Sequence, residues 1–349
     1  MHNGLVASGY QFPIAPMGCN SVYVRSVSEC LIAAMAANVI RISRWDTGAA
    51  GTDMKENSQE ETTVTVDGRQ IFIGNEPTTL LGFRVPSAAL QDDWTDELVA
   101  QLELWRAHGV NALTIWLQGS SGGYTPLFAR DGGFNRDAMD VVARVDFNVQ
   151  EMHAPIGQTT GGQVVTRTHR IIEAARRAGI VVILGLFYRP AVARGFTADI
   201  LRQAARTAAK EFGGYGNVIF NVFNEAVTRN SLESSENLAA YMRTVKTTAP
   251  DRPVGTGSMR AEVTGALARL SELDIVLQDA GWNADAAIAA FDMLCAIASK
   301  PVINVESFLG SGNAYIDVEP GEPEAVPGYY LEFPGHWRVF GAWADEDGW

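Results

Sequence analysis

A (β/α)8 barrel of parallel strands is the fold class the chain predicts, and three observations carry that prediction. From residue 80 onward, short apolar runs alternate with segments of helical period. There are eight such runs. The first of them, LLGFRVPSAAL, lacks the G-x-G-x-x-G turn with which a doubly wound dinucleotide-binding sheet opens its first helix.

The elements follow in order. Residues 1–61 show no clear period and are expected to form an irregular extension, ending in the polar linker DTGAAGTDMKENSQEET. A hairpin opens the organised region at 62–349: TVTV and RQIFI alternate in polarity around Asp67-Gly68, a dipeptide that tolerates positive φ. The eight runs are TLLGFRV, NALTIWL, IVVILGLFY, VIFNVF, PVGTGS, DIVLQ, PVINV and WRVFGAW.

Between them, Thr95 is placed to cap a helix with Leu98, Leu102 and Trp105 on one face and a stop at Gly109. A second helix, read from Arg167, turns Ile171, Ile172, Ala175 and Ala178 inward and stops at Gly179. Thr197 opens a third, with Leu201, Ala204, Ala208 and Phe212, and Ser234 a fourth, with Leu238, Met242 and Val245 before Pro250. Residues 284–298 form one more. After Glu306 the chain turns Gly- and Pro-rich, so the eighth βα unit is expected to be degenerate or incomplete.

The net charge of -13 repels a phosphate backbone or an anionic membrane surface, which argues against nucleic acid and membrane partners. With 47% hydrophobic and 19% charged residues the composition is that of a soluble globular chain, and no apolar run is long enough to cross a bilayer. Cys19, Cys30 and Cys295 lack the spacing of a zinc site or a disulfide framework and read as buried thiols. Residues 31–40 are apolar but lie late for an export signal, which leaves secretion and a cytoplasmic location both open, as is the oligomeric state.

In a parallel barrel the reactive groups stand at the carboxyl ends of the strands. Those positions hold Arg84, Trp116, Gln118, Tyr188, Arg189, Asn224, Glu225, Met259, Arg260, Gln278, Asp279 and Glu306. Glu225 closes the fourth run and Glu306 the seventh. A pair of carboxyl groups about 5 Å apart serves a retaining glycosidase, one donating a proton to the leaving oxygen and the other attacking the anomeric carbon.

With NVFNEA and PVINVESF in that order, the chain resembles the retaining clan A glycoside hydrolases, the (β/α)8 enzymes that include family-five cellulases and mannanases. The resemblance covers residues 62–310 and extends to the entry hairpin VTVDGRQIFIGN and to EFGGYGNVIFNVFNE. It implies Glu225 as the general acid/base, Glu306 as the nucleophile, Asn224 as the amide that bonds the sugar 2-hydroxyl, and a saccharide or glycoside as substrate without a cofactor. Arg84 is a candidate partner of the nucleophile. Trp116, Tyr188, Trp282 and Trp343 are candidates for stacking on a pyranose, as Gln278 is for contacting it. The resembled enzymes often present Tyr or His at the end of strand six, whereas this chain has Gln278-Asp279.

That departure keeps open a barrel that binds carbohydrate without cleaving it. A metal-dependent lyase or isomerase would use the same glutamates as ligands with Asp279. His169 and Glu173, at i and i+4, read as the polar side of an amphipathic helix rather than as ligands. GSSGGY lacks the spacing of a serine nucleophile elbow.

Overall fold

The computed structural model describes residues 21–23, 62–85, 88–107, 109–117, 127–137, 139–140, 145–146, 151–152, 159–187, 196–224, 226, 234–258, 260–279 and 284–306; for some of these, including Arg84, Asp279 and Glu306, it describes the backbone alone. The elements are β1 (Ser21–Tyr23), β2 (Val64–Asp67), β3 (Gln70–Ile73), β4 (Glu76–Thr78), β5 (Gly82–Arg84), α1 (Asp92–Ala107) and β6 (Ala112–Trp116). Four short strands come next, β7 (Met139–Asp140), β8 (Val145–Asp146), β9 (Glu151–Met152) and β10 (Thr159–Thr160). The regular alternation then resumes with α2 (Gly161–Arg177), β11 (Val181–Gly185), α3 (Ala198–Phe212), β12 (Val218–Asn221), α4 (Ser235–Thr248), β13 (Val254–Thr256), α5 (Ala261–Leu267), β14 (Ile275–Asp279), α6 (Ala284–Ile297) and β15 (Val302–Glu306).

The main sheet has eight strands in the order β1-β15-β14-β13-β12-β11-β6-β5, and every pair is parallel. This is the α/β architecture of the (β/α)8 barrels, with an incomplete barrel among the described residues. From β5 to β15 the strands are consecutive neighbours, as right-handed βα units require. Seven of the predicted runs become strands of this sheet; the eighth, WRVFGAW, lies outside the described residues. Within the stretch expected to be irregular, Ser21–Tyr23 pairs with β15, Val22 opposite Ile303.

The helix starts show where local signals compete. Thr160, Thr197 and Ser234 each accept a bond from the backbone N–H three residues on, and Thr160 forms a full capping box with Gln163. Helix α2 therefore begins at Gly161, well before Arg167. Thr95 is not a cap: α1 begins at Asp92, and the Thr95 hydroxyl donates to Ala88 O at 2.7 Å from inside the helix. Two acids in the first turn, Asp92 and Asp93, favour that earlier start. Helix α5 has too short an apolar pattern to be read from sequence. Gly109 and Gly179 hold φ of 91° and 73° just past α1 and α2, the left-handed stop predicted for them.

Two apolar clusters hold the fold. The larger one packs the helices on the outer face of the sheet and includes Leu98, Leu102, Ile171, Ile172, Leu201, Phe212, Leu238 and Met242. Cys295 lies half-buried at its edge rather than within it. The second cluster fills the inside of the curled sheet: Ala112, Val181, Ile183, Ile219, Ile275, Leu277, Ile303 and Val305, joined by Val64, Ile71 and Leu80. These last three come from the β2–β4 meander and the residues after it, so the meander closes the amino-terminal end of the barrel.

The meander is seated by backbone as well as by side chains. Val64 N donates to Gly216 O at 2.9 Å, Thr62 Oγ1 to Arg176 O at 2.8 Å, and the Arg69 guanidinium to Cys295 O. With this end closed, the carboxyl ends of the strands remain as the place for a site.

Candidate active site

Strand alternation turns residues at every second position into the barrel. Ile219 belongs to the interior cluster, so Asn221 faces the same way; likewise Val181 and Ile183 lead to Gly185, and Ala112 leads to Trp116. Register joins these residues into one row at the carboxyl end: Trp116 opposite Gly185, Gly185 opposite Asn221, and Asn221 opposite Gly255.

The two glycines make room for their neighbours. A Cβ on Gly185 would stand 1.5 Å from Trp116 Cε3, so the indole lies across the bare backbone. A Cβ on Gly255 would stand 2.8 Å from Leu277 Cγ. Trp116, one of the candidates for stacking on a sugar, lines the barrel interior with 4% of its surface exposed. Gln278, near the end of β14, is completely buried.

Beyond β12 the chain is held from both sides. Asn224 N donates to Phe187 O at 2.8 Å, past the end of β11, and Ala226 N donates to Gly257 O at 2.9 Å, past the end of β13. Thr256 Oγ1 adds a bond to Phe223 O at 2.8 Å. The residues on either side of position 225 are therefore tied to both neighbouring strands. Asn224 is 2% exposed, and both polar atoms of its amide are buried without a hydrogen-bond partner among the described residues. The Asn221 Oδ1 is in the same condition.

Glu306 is the last residue of β15, the seventh strand counted from β5, while Asn224 comes after β12, the fourth. The β14–β15 ladder shifts register at its end: Gln278 pairs with Asn304, but Asp279 pairs with Glu306, leaving Val305 as an extra residue. Such a bulge at a barrel rim bends the strand and re-aims the residues beyond it. Arg84 ends β5 opposite Thr114. Glu225, Tyr188, Trp282 and Trp343 lie outside the described residues. Asn221 was not among the sequence candidates, although its signal is present in FNVFNE: a second amide on the inward-facing parity of the same strand.

The polar groups of α2 are committed elsewhere. The His169 ring nitrogens meet Tyr215 OH at 2.9 Å and Glu211 Oε1 at 3.0 Å, while Glu173 pairs with Arg176 and Arg177, so the two residues converge on no common point. Burial raises the Glu211 carboxyl, but hydrogen bonds from His169 and Arg136 outweigh it and the net shift is downward. Arg167, 5% exposed, donates to Asp92 at 2.6 and 3.0 Å, to Leu90 O at 2.9 Å and to Thr159 Oγ1 at 2.7 Å. It pins the segments that leave the carboxyl ends of the sheet before α1 and α2.

Three solved structures share part of this fold at low sequence identity. A protein of Bacteroides vulgatus provisionally named as a glycoside hydrolase aligns with a TM-score of 0.50 at 14% identity, over 70% of this chain and 48% of its own. A glycoside hydrolase family 5 protein from the same organism aligns with a TM-score of 0.47 at 15% identity, over 71% of this chain and 53% of its own. A β-1,4-D-mannanase from Cryptopygus antarcticus aligns with a TM-score of 0.47 at 11% identity, covering 69% and 79%. The chain matches about half the length of the two Bacteroides proteins. At these identities the likeness is one of fold. No family model matches the chain, and no curated protein matches it in sequence.

Proposed function

We propose that this protein is a glycoside hydrolase that cleaves O-glycosidic bonds with retention, using Glu225 as general acid/base and Glu306 as nucleophile. The observation that supports it best is the buried, unpartnered amide of Asn224 at the end of the fourth strand, immediately before Glu225. A buried amide left without partners costs about 1–3 kcal/mol, which a bound hydroxyl-rich ligand offsets. The seventh strand ends in the second carboxylate.

In the first step the Glu306 carboxylate attacks the anomeric carbon while the glycosidic C–O bond breaks and the proton of Glu225 passes to the leaving oxygen. In the second, Glu225 takes a proton from water, and that water displaces Glu306 from the sugar. The substrate is an oligo- or polysaccharide or a simpler glycoside, and no cofactor takes part.

A 2-deoxy-2-fluoro glycoside with an activated leaving group tests this directly, because it slows the second step and leaves a label on the nucleophile. Peptide mass spectrometry is expected to find the label on Glu306, and proton NMR to show retained anomeric configuration. Glu225→Gln is expected to lower kcat by about 10²–10⁴-fold on substrates with poor leaving groups. A label elsewhere, inversion, or full activity in both Glu225→Ala and Glu306→Ala ends the proposal. Buried Gln278 near the end of strand six, where the resembled enzymes often present Tyr or His, favours a second reading in which the barrel binds carbohydrate without turnover. Saturable sugar binding with no release from any aryl glycoside selects it.

A further inference from the structure

Three features made by glycine or by strand parity converge on Asn221. It stands in the inward row between Gly185 and Gly255, and the volume those glycines vacate is taken by the Trp116 indole and the Leu277 side chain. The interior cluster around that row contributes Ile183, Ile219 and Ile275, all apolar. An amide there, 1% exposed and with its Oδ1 lacking a partner among the described residues, sits in a wall that Leu would fill at similar volume. A buried acceptor without a partner calls for one, and an ordered water or a ligand hydroxyl can supply it. Asn224, three residues on, carries a second unpartnered amide at the same end of the barrel.

Resting on the glycosidase reading, we infer that Asn221 is a specificity-determining residue that supplies the deepest polar contact of the ligand site. It accepts from a hydroxyl of the bound sugar, directly or through one ordered water. With Asn224 it forms a two-tier amide floor that selects a neutral polyhydroxylated ring over an apolar or an anionic ligand, since neither amide brings a charge.

The test compares wild type with Asn221→Leu and Asn221→Ser, using the aryl glycoside that wild type turns over and its monodeoxy analogues, alongside urea unfolding of the sugar-free proteins. The inference expects Asn221→Leu to unfold at an equal or higher urea midpoint while kcat/KM falls about five- to tenfold. It also expects one monodeoxy analogue on which wild type and variant differ by less than about twofold, because the contact is already missing there. A lower urea midpoint with unchanged kcat/KM overturns it, leaving Asn221 as packing. If Asn221→Leu does not fold, Asn221→Ser carries the same comparison, and equal ratios across every analogue overturn the inference. Wild type that neither binds nor cleaves any glycoside removes the glycosidase reading itself, and this inference with it.

Discussion

Replacing Arg167 by Met is expected to cost about 3–7 kcal/mol, and most of that loss comes from two of its four hydrogen bonds. The guanidinium is nearly inaccessible, with 7% of its side-chain surface exposed, whereas its partner Asp92 is 73% exposed. Water competes for the ion pair, so the pair itself contributes about 0–1 kcal/mol. The bonds to Leu90 O and Thr159 Oγ1 are buried, and a charged donor on a neutral acceptor contributes about 1.5–3 kcal/mol each in such surroundings. Met keeps the apolar stem and removes the donors. Asp92→Ala is expected to cost only about 1–2 kcal/mol, because water can take the place of the exposed carboxylate. Urea unfolding of both variants measures the difference. A larger loss for Asp92→Ala than for Arg167→Met would show that the ion pair, not the buried bonds, holds these segments, and would refute the reasoning.

Other outcomes rest on the same geometry. The hydrogen bond from Arg167 holds the Asp92 carboxyl below the usual range, against a smaller opposing effect of burial. Its folded value is therefore lower than its unfolded one. The stabilisation is complete above the unfolded carboxylate value and is lost as pH falls through the folded one, so the gap in urea midpoint between wild type and Asp92→Asn should close in acid. Gly185→Ala drives a methyl into the Trp116 ring and should cost about 1–3 kcal/mol or more, and combination with Trp116→Leu should recover part of it; simple additivity in a double-mutant cycle would contradict the packing described. Ile71→Ala, at a completely buried position of the meander, should cost about 2–5 kcal/mol, measured by the same unfolding assay.

The strands were legible because each parallel strand is buried on both faces, which leaves an apolar run that stands out from helical periodicity. VVILG and VIFN are buried at every position. Caps were legible where a hydroxyl stands just before a run of helical period, as at Thr197 and Ser234. Thr95 was misleading because its hydroxyl finds the Ala88 carbonyl, a contact made by the turn before the helix and invisible to pattern. The pairing of Ser21–Tyr23 with β15 joins residues about 280 apart in sequence, and three residues carry no period. At the site, Asn224 was legible through its neighbour Glu225. Asn221 was not, since its meaning depends on which strands lie beside it and on the two glycines facing them.

The seating of the meander has a consequence for how the chain reaches its native state. Thr62 must find an acceptor 114 residues away, and Arg69 one 226 residues away, on the far side of the barrel. The hairpin around Gly68 can form as soon as its own residues are made, but its partners are completed only when α6 has been added. Closing such long loops is slow, and little is recovered until the last of them shuts. The meander is thus made early in the chain, but its seating on the barrel closes only once α6 is in place.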